Sequence, residues 1–334
     1  MWAEWDDVRR ADKSRKSLAD RLPRGPRTRF APSPTGYLHL GHVANAVCVW
    51  GIARALGGRV LLRLEDHDRG RCRPEYEHAL LDDLEWLGLE PDVGAAAEFR
   101  AGPSAHRQSD CDAVYETELA RLAARGEVFA CDCSRREMAL ENGDPPDLET
   151  RYGGRCRSRG LAMETGRGIR LRIDPGEERF ADGLLGEQVQ EPSAQCGDLL
   201  LRDRLGNWTY QFAVVVDDLR QEIDLVIRGE DLLASTGRQL RLARLLSRRE
   251  PPLFVHHPLI RNESGAKLSK SAGDTGIREL RAAGISAGAV LGRAAYSIGL
   301  LSAPRDLGVS DLAGLFGESS LVRHRGAERN ERMV

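Results

Sequence analysis

The sequence predicts an α/β protein built on a doubly wound parallel sheet, and three observations predict it. Strand-length apolar runs alternate with helix-length amphipathic runs along the first third of the chain. Each change of period is marked by glycine or proline. The alternation then breaks at Val128 and resumes at Leu199, the pattern expected of an insertion into one domain.

Taken in order, residues 1–27 are polar and arginine-rich and read as an N-terminal extension. Arg29–Ala31 reads as a short strand, stopped by Pro32-Ser-Pro34-Thr-Gly36. A helix follows from about Leu40 to Leu56, closed by Gly57-Gly58. Val60–Leu64 is a buried-type strand ending in the acidic tip Glu65-Asp66-His67-Asp68. A second helix covers Pro74 to Leu87, with proline in its first turn and Gly88 after its last. A third runs from about Ser104 to Arg125, so residues 28–128 make the first half of the sheet domain.

Residues 129–194 hold three clustered cysteines, the loop Gly143-Asp-Pro-Pro and short strands such as Ile169–Ile173. They read as an insertion with its own stabiliser. The sheet pattern returns over 195–271 with strand Leu199–Arg202, the turn Leu205-Gly-Asn207 and the segment Trp208–Val216. Strand Leu225–Ile227, a basic helix from Leu232 to Leu246 and a polar loop at 267–271 complete it. Residues 272–334 read as short helices.

At 334 residues, 41% hydrophobic and 30% charged, the composition is that of an ordinary globular protein. The sequence has no apolar run long enough to cross a bilayer and begins with charged residues rather than a secretory leader. The expected setting is cytoplasmic, with no membrane partner and the chain acting as a monomer. A net charge of −2 gives no argument for nucleic acid in the protein as a whole, yet residues 151–172 carry seven arginines against Glu164 alone. Residues 232–249 carry five arginines and no acid. Seven cysteines in no repeating framework argue against a disulfide scaffold.

Two motifs carry the chemistry. His39-Leu-Gly-His42 places two imidazoles at the first turn of a helix that follows a strand and a Pro/Gly-rich turn. A helix start presents free N–H groups and a positive dipole end, which suits a phosphate, and Gly41 lets a flat ring approach the backbone. Lys267-Leu-Ser-Lys-Ser271 holds two of only four lysines in a chain that otherwise uses arginine for positive charge. Lysine supplies a compact, mobile ammonium where arginine supplies a planar fork, and such a loop can draw off a departing pyrophosphate.

Together, in this order and on this fold, the two motifs resemble the HIGH and KMSKS signatures of class I aminoacyl-tRNA synthetases, whose catalytic domain is a Rossmann-type sheet. The stretch Arg29-Phe-Ala-Pro-Ser-Pro-Thr-Gly36 resembles the glutamyl branch. The resemblance implies a ligase that activates L-glutamate with ATP, magnesium accompanying the nucleotide. It implies that His39, Gly41, His42 and Lys270 bind ATP, with His39, His42, Lys267 and Lys270 catalytic. It places glutamate against Arg29, Phe30, Ala31, Pro32 and Ser33, its ammonium on Glu65, and its carboxylate near Tyr210 and Arg228. Charge logic agrees, since glutamate needs an acid for its ammonium and an arginine for a carboxylate. The competing reading for Arg29, Glu65 and Arg228 is internal ion pairing.

Cys131, Cys133 and Cys156 suggest one structural Zn2+ rather than a disulfide in a reducing compartment. Three thiolates leave a fourth position, which water or Asp132 could fill. The resemblance proposes Tyr152, because the same Cys-x-Cys, Tyr, Cys arrangement occurs in short glutamyl-synthetase paralogues. Only 63 residues follow Ser271, too few for the helical domain that reads an anticodon in a full-length glutamyl enzyme. The short form resembles the glutamyl-Q tRNA(Asp) synthetase family, which implies transfer of glutamate to queuosine in the anticodon loop of tRNA(Asp). The alternatives are a shortened enzyme charging the 3′ end of tRNA(Glu), another adenylate-forming nucleotidyltransferase, and a non-catalytic RNA-binding relic. Under the preferred reading, the 151–172 arginines (Arg155 and Arg157 among them) and a helix face of Arg238, Arg241 and Arg248 are candidate RNA phosphate contacts.

Overall fold

The computed structural model describes residues 25–143, 150–260 and 276–316. Its elements are β1 (Arg27–Phe30), α1 (Leu40–Ala55), β2 (Arg59–Leu62), α2 (Pro74–Leu87), α3 (Ala96–Ala101), α4 (Asp112–Ala124) and β3 (Val128–Cys131). Next come α5 (Arg135–Asn142), β4 (Gly168–Leu171), β5 (Glu178–Asp182), β6 (Gly186–Gln190), α6 (Pro192–Gln195) and β7 (Leu199–Arg202). The described chain continues with α7 (Tyr210–Arg220), β8 (Leu225–Gly229), α8 (Thr236–Leu245), β9 (Leu253–His257), α9 (Ile277–Ala282) and α10 (Ala287–Ser297).

β1 and β2 pair in parallel from Arg27↔Arg59 to Phe30↔Leu62. β8 and β9 pair in parallel from Leu225↔Leu253 to Gly229↔His257, and β5 joins β9 in parallel at Asp182↔Phe254. β1 lies beside β8, tied by the Asp224 N–H to the Arg27 carbonyl at 3.1 Å and by the Arg27 N–H to the Asp224 carboxylate at 2.7 Å. β1, β2, β8 and β9 therefore end on one side, where open α/β sheets bind ligands.

The core follows from the sequence pattern. α1 is buried from Val43 and Ala44 through Ala46–Ala53 and is apolar on every face, so it runs through the core rather than along a surface. Its Trp50 is 1% exposed and satisfies its indole N–H on the Glu90 carbonyl at 3.0 Å. α2 has the predicted limits, with Pro74 in its first turn and Gly88 closing it.

Three expectations change. Residues 104–125 are not one helix: α3 precedes them, Gln108–Asp110 makes a single 3₁₀ turn, and α4 begins at Asp112. Side chains capture the intervening backbone instead, with the Ser104 N–H on Asp110 at 2.9 Å and the Arg107 guanidinium on the carbonyls of Phe99 and Gly102. The basic helix starts at Thr236, because Glu230–Ser235 winds as 3₁₀. Residues 129–194 do not fold apart from their neighbours. β5 and β6 extend the main sheet through β9, while β3 and β4 take β7 as the third strand of an antiparallel sheet. No helix among the described residues is long and apolar enough to cross a membrane.

Candidate active site

The start of α1 is a reciprocal cap made by the two histidines. His39 is the N-cap in extended conformation, and its Nδ1 accepts the Gly41 N–H at 3.1 Å. The His42 Nδ1 accepts the His39 N–H at 3.1 Å, and the two rings lie 4.0 Å apart. A neutral imidazole that accepts at Nδ1 carries its proton at Nε2. The cap thereby selects the tautomer that makes both rings Nε2–H donors. Gly41 leaves room for this: a Cβ there would stand 2.9 Å from His39 Cε1.

A cavity of about 430 Å³ opens at the ends of β1, β2, β8 and β9. Arg29, Phe30, Ala31, Pro32, Ser33, His39, Gly41, His42, Glu65, Tyr210 and Arg228 all line it. Residues more than a hundred positions apart thus meet in one space. Asn45, Asp231 and His257 also line it, and no motif marked them in the sequence. Lys267 and Lys270 lie outside the described residues. The residues bounding that stretch are both at the site: Ile260 lines the cavity and Gly276 bridges to His39.

The buried charges divide into two kinds. Arg63, fully buried, donates to Asp218 at 2.7 Å and to Glu65 at 2.9 Å, with Asp217 at 3.8 Å. Burial by itself would lower the Arg63 pKa, but Asp218, Glu65 and Asp217 raise it above its ordinary value. Arg29 donates to the same Asp218 at 3.1 Å. Burial pushes the Asp218 carboxyl up, while Arg29 and Arg63 outweigh that and hold it below its usual range. Internal pairing therefore applies to Arg29 and Glu65, and it fixes both against the cavity.

Arg228 is different. It is 3% exposed, and its guanidinium donates to His256 Nε2 at 3.0 Å, Gln239 Oε1 at 2.7 Å and Thr236 Oγ1 at 2.9 Å. No carboxylate among the described residues forms a salt bridge with it, and burial lowers its pKa. Burial likewise raises the Tyr210 phenol, opposed by the charge of Arg228. A buried cation held by neutral groups at the wall of a cavity has the charge and the position to receive an anion.

Away from this cavity, the thiols of Cys131, Cys133 and Cys156 are buried and lie within 4.8 Å of one another. The Cys133 and Cys156 sulfurs are 3.5 Å apart. A tetrahedral zinc with bonds of about 2.3 Å sets thiolates roughly 3.8 Å apart, so the donor set fits the ion. The Tyr152 hydroxyl accepts the Cys156 N–H at 2.7 Å and also interacts with the Cys131 thiol. Gly197, with φ +67, passes so close to Tyr152 that a Cβ would overlap its carbonyl oxygen. Burial pushes the Cys131 thiol up, but the Arg170 guanidinium, 3.3 Å from the sulfur, holds it below its ordinary value. Asp132 pairs with Arg159 at 2.7 Å and accepts from the Cys156 thiol at 3.2 Å, so its carboxylate also borders the cluster.

The helix face of Arg238, Arg241 and Arg248 expected from the sequence is not an open surface. Arg238 is 3% exposed, Arg241 is paired with Glu178, and Arg248 caps the carbonyls of Ile223, Asp218 and Glu250. These side chains hold α8 to its neighbours and present no solvent-facing stripe. Arg155 pairs with Glu141 at 2.8 Å and Arg157 with Asp174 at 2.7 Å, so local acids answer much of the 151–172 charge.

The chain is similar to known proteins over most of its length. Residues 26–291 match the family model described as tRNA synthetases class I (E and Q), catalytic domain. A glutamyl-Q tRNA(Asp) synthetase of Nitratidesulfovibrio vulgaris is 39% identical over 306 residues, covering 88% of this chain and 93% of that protein. A glutamate–tRNA ligase 2 of Syntrophus aciditrophicus is 40% identical over 275 residues, covering 80% of this chain but only 56% of the ligase. Among solved structures, a glutamate tRNA ligase of Elizabethkingia meningosepticum in complex with its amino acid superposes with a TM-score of 0.71 at 25% identity. That match covers 89% of this chain and 66% of the ligase.

Proposed function

The chain belongs to the class I tRNA synthetases for glutamate and glutamine and is a ligase of that family, and from this premise we propose that it activates L-glutamate with ATP and passes the glutamyl group to queuosine in tRNA(Asp). The observation that carries the substrate is Arg228, a buried cation without a carboxylate, on the wall it shares with Glu65 and Tyr210. Glutamate takes its ammonium to Glu65 and its side-chain carboxylate to Arg228, Tyr210 and Arg29. Glutamine offers the same shape without the negative charge, so the pocket discriminates by charge.

The chemistry needs no protein nucleophile. The α-carboxylate of glutamate attacks the α-phosphorus of ATP, the bond to pyrophosphate breaks, and glutamyl-adenylate forms. Nε2–H of His39 and His42, at the positive end of α1, donates to the phosphoryl oxygens as charge gathers on them. Lys267 and Lys270 serve the departing pyrophosphate, whose charge magnesium would help to offset when bound with the nucleotide. In the second step a hydroxyl of the acceptor attacks the glutamyl carbonyl and AMP leaves. Positioning and electrostatics supply the rate.

ATP–pyrophosphate exchange tests activation: exchange dependent on glutamate, and much weaker with glutamine or aspartate, is the expected result. Amino-acid-independent or absent exchange would refute the assignment. His39→Ala or His42→Ala is expected to cut kcat of exchange by roughly 100- to 1,000-fold, as loss of a transition-state donor does. The KM for glutamate should change little, and a rise in that KM with kcat preserved would contradict the role.

The acceptor reading is supported by the relative named for glutamyl-Q tRNA(Asp), which this chain covers almost end to end. The similar identity to a glutamate–tRNA ligase favours a second reading, in which the acceptor is the 3′ end of tRNA(Glu). Cys131, Cys133, Cys156 and Tyr152 would hold one structural zinc, which supplies a cross-link to a segment with a small core of its own. Elemental analysis of the purified protein should find one zinc per chain and Cys156→Ser should lose it. A metal-free wild type with unaltered melting would overturn this.

A further inference from the structure

What aims Arg228 is visible one strand away. His256 on β9 stands directly across from it in the sheet register, and His256 Nε2 accepts the Arg228 Nε–H at 3.0 Å. That nitrogen can accept only if the ring is neutral with its proton on Nδ1. Nδ1 lies 2.6 Å from Asp182 Oδ2 on β5. Asp182 is itself fixed as an acceptor: its carboxylate takes the main-chain N–H groups of Leu184 at 2.9 Å, Leu185 at 2.8 Å and His256 at 3.1 Å. The direction of every proton is thereby determined, from Arg228 to His256 and from His256 to Asp182. All three residues are at most 3% exposed.

Two consequences follow for the cavity. The guanidinium cannot rotate without losing a buried acceptor, so its orientation is set before any ligand arrives. Its partners His256, Gln239 and Thr236, together with the Tyr210 phenol, are neutral, so its charge is steadied without being cancelled by a contacting acid. A carboxylate in contact would do the first and defeat the second.

We propose that His256, oriented by Asp182, is a positioning residue for substrate recognition, holding Arg228 aimed and charged for the side-chain carboxylate of glutamate. This rests on the reading of Arg228 as the carboxylate receptor. It adds a second layer, spread over three adjacent strands, that no motif in the sequence marked.

The test is ATP–pyrophosphate exchange by two variants of the full chain. His256→Leu keeps an apolar body of similar size and removes the acceptor, whereas His256→Gln keeps an oxygen near the position of Nε2. The His256→Leu variant should raise the KM for glutamate by roughly tenfold or more, the scale of one hydrogen bond to a charged group. Its KM for ATP should stay within about twofold, since that end of the cavity is untouched. In the His256→Gln variant the KM for glutamate should return most of the way to wild type. Parallel rises in both KM values, an unchanged KM for glutamate, or equal damage from the two substitutions would overturn the proposal. If His256→Leu does not fold, His256→Gln, which retains volume and polarity, still decides it: a KM for glutamate raised tenfold or more there would overturn the proposal. A wild-type enzyme inactive with glutamate would instead sink the substrate assignment itself, and this inference with it.

Discussion

Replacing Arg228 with methionine should all but abolish glutamate activation while leaving the protein about as stable as before. Truncating one member of a buried, hydrogen-bonded charge pair costs about 2–5 kcal/mol, or roughly 30- to 5,000-fold in kcat/KM. Here the missing member is the substrate, so the loss should fall on kcat/KM for glutamate. Stability behaves differently because the buried hydrogen bonds lost to His256, Gln239 and Thr236 are offset by relief of the desolvation that lowers the arginine's pKa in the absence of a contacting acid. Thermal melting without ligand should shift by no more than about 2 °C for a loss or gain near 1 kcal/mol. A large fall in Tm would mean that Arg228 is a structural ion with a compensating partner inside the protein.

Arg63 should give the reverse result. Arg63→Met leaves Asp217, Asp218 and Glu65 in the interior without their shared cation. Breaking such a cluster from one side costs about 3–5 kcal/mol. For a protein of this size that corresponds to a Tm lower by roughly 4–7 °C. Activity should fall as well, since Glu65 and, through Asp218, Arg29 lose their anchor. Melting by circular dichroism decides the matter, and a variant that melts with wild type would show that the acids do not depend on Arg63. The two arginines are similarly buried and chemically identical, so the contrast isolates what their neighbours do.

Much of this arrangement could be read from the sequence because its signals are local. Pro74 and Gly88 bracket α2, and the apolar run from Val43 to Ala53 marks a helix buried on all sides. The histidine pair is legible for the same reason: a strand, a turn and a cap lie within a dozen residues of one another. Arg63 was not, although a single arginine inside the apolar run Val60–Leu64 was a signal. Its meaning depends on Asp217 and Asp218, some 150 positions later. His256 and Asp182 are hidden in the same way, since only the parallel register of β5, β9 and β8 brings them to Arg228.

Charge counts misled in one place. The face of Arg238, Arg241 and Arg248 reads as open to RNA phosphates because no acid lies within 232–249, yet Glu178 meets Arg241 and main-chain carbonyls meet Arg248 in space. Local composition reports charge and cannot report pairing. The 104–125 segment departs from a single helix for a related reason: Ser104 and Arg107 spend their hydrogen bonds on turn geometry that a helical period does not reveal.

The most direct test of the central claim is transfer of labelled glutamate, with ATP, onto tRNA prepared with and without queuosine. Half of each sample is treated beforehand with periodate, which destroys the 3′ diol and the cyclopentene diol of queuosine. The account predicts label on the queuosine-containing tRNA alone, abolished by periodate and mapping to an anticodon-loop fragment. Equal label on both preparations, mapping to the 3′ end, would contradict it and make the protein a charging enzyme for tRNA.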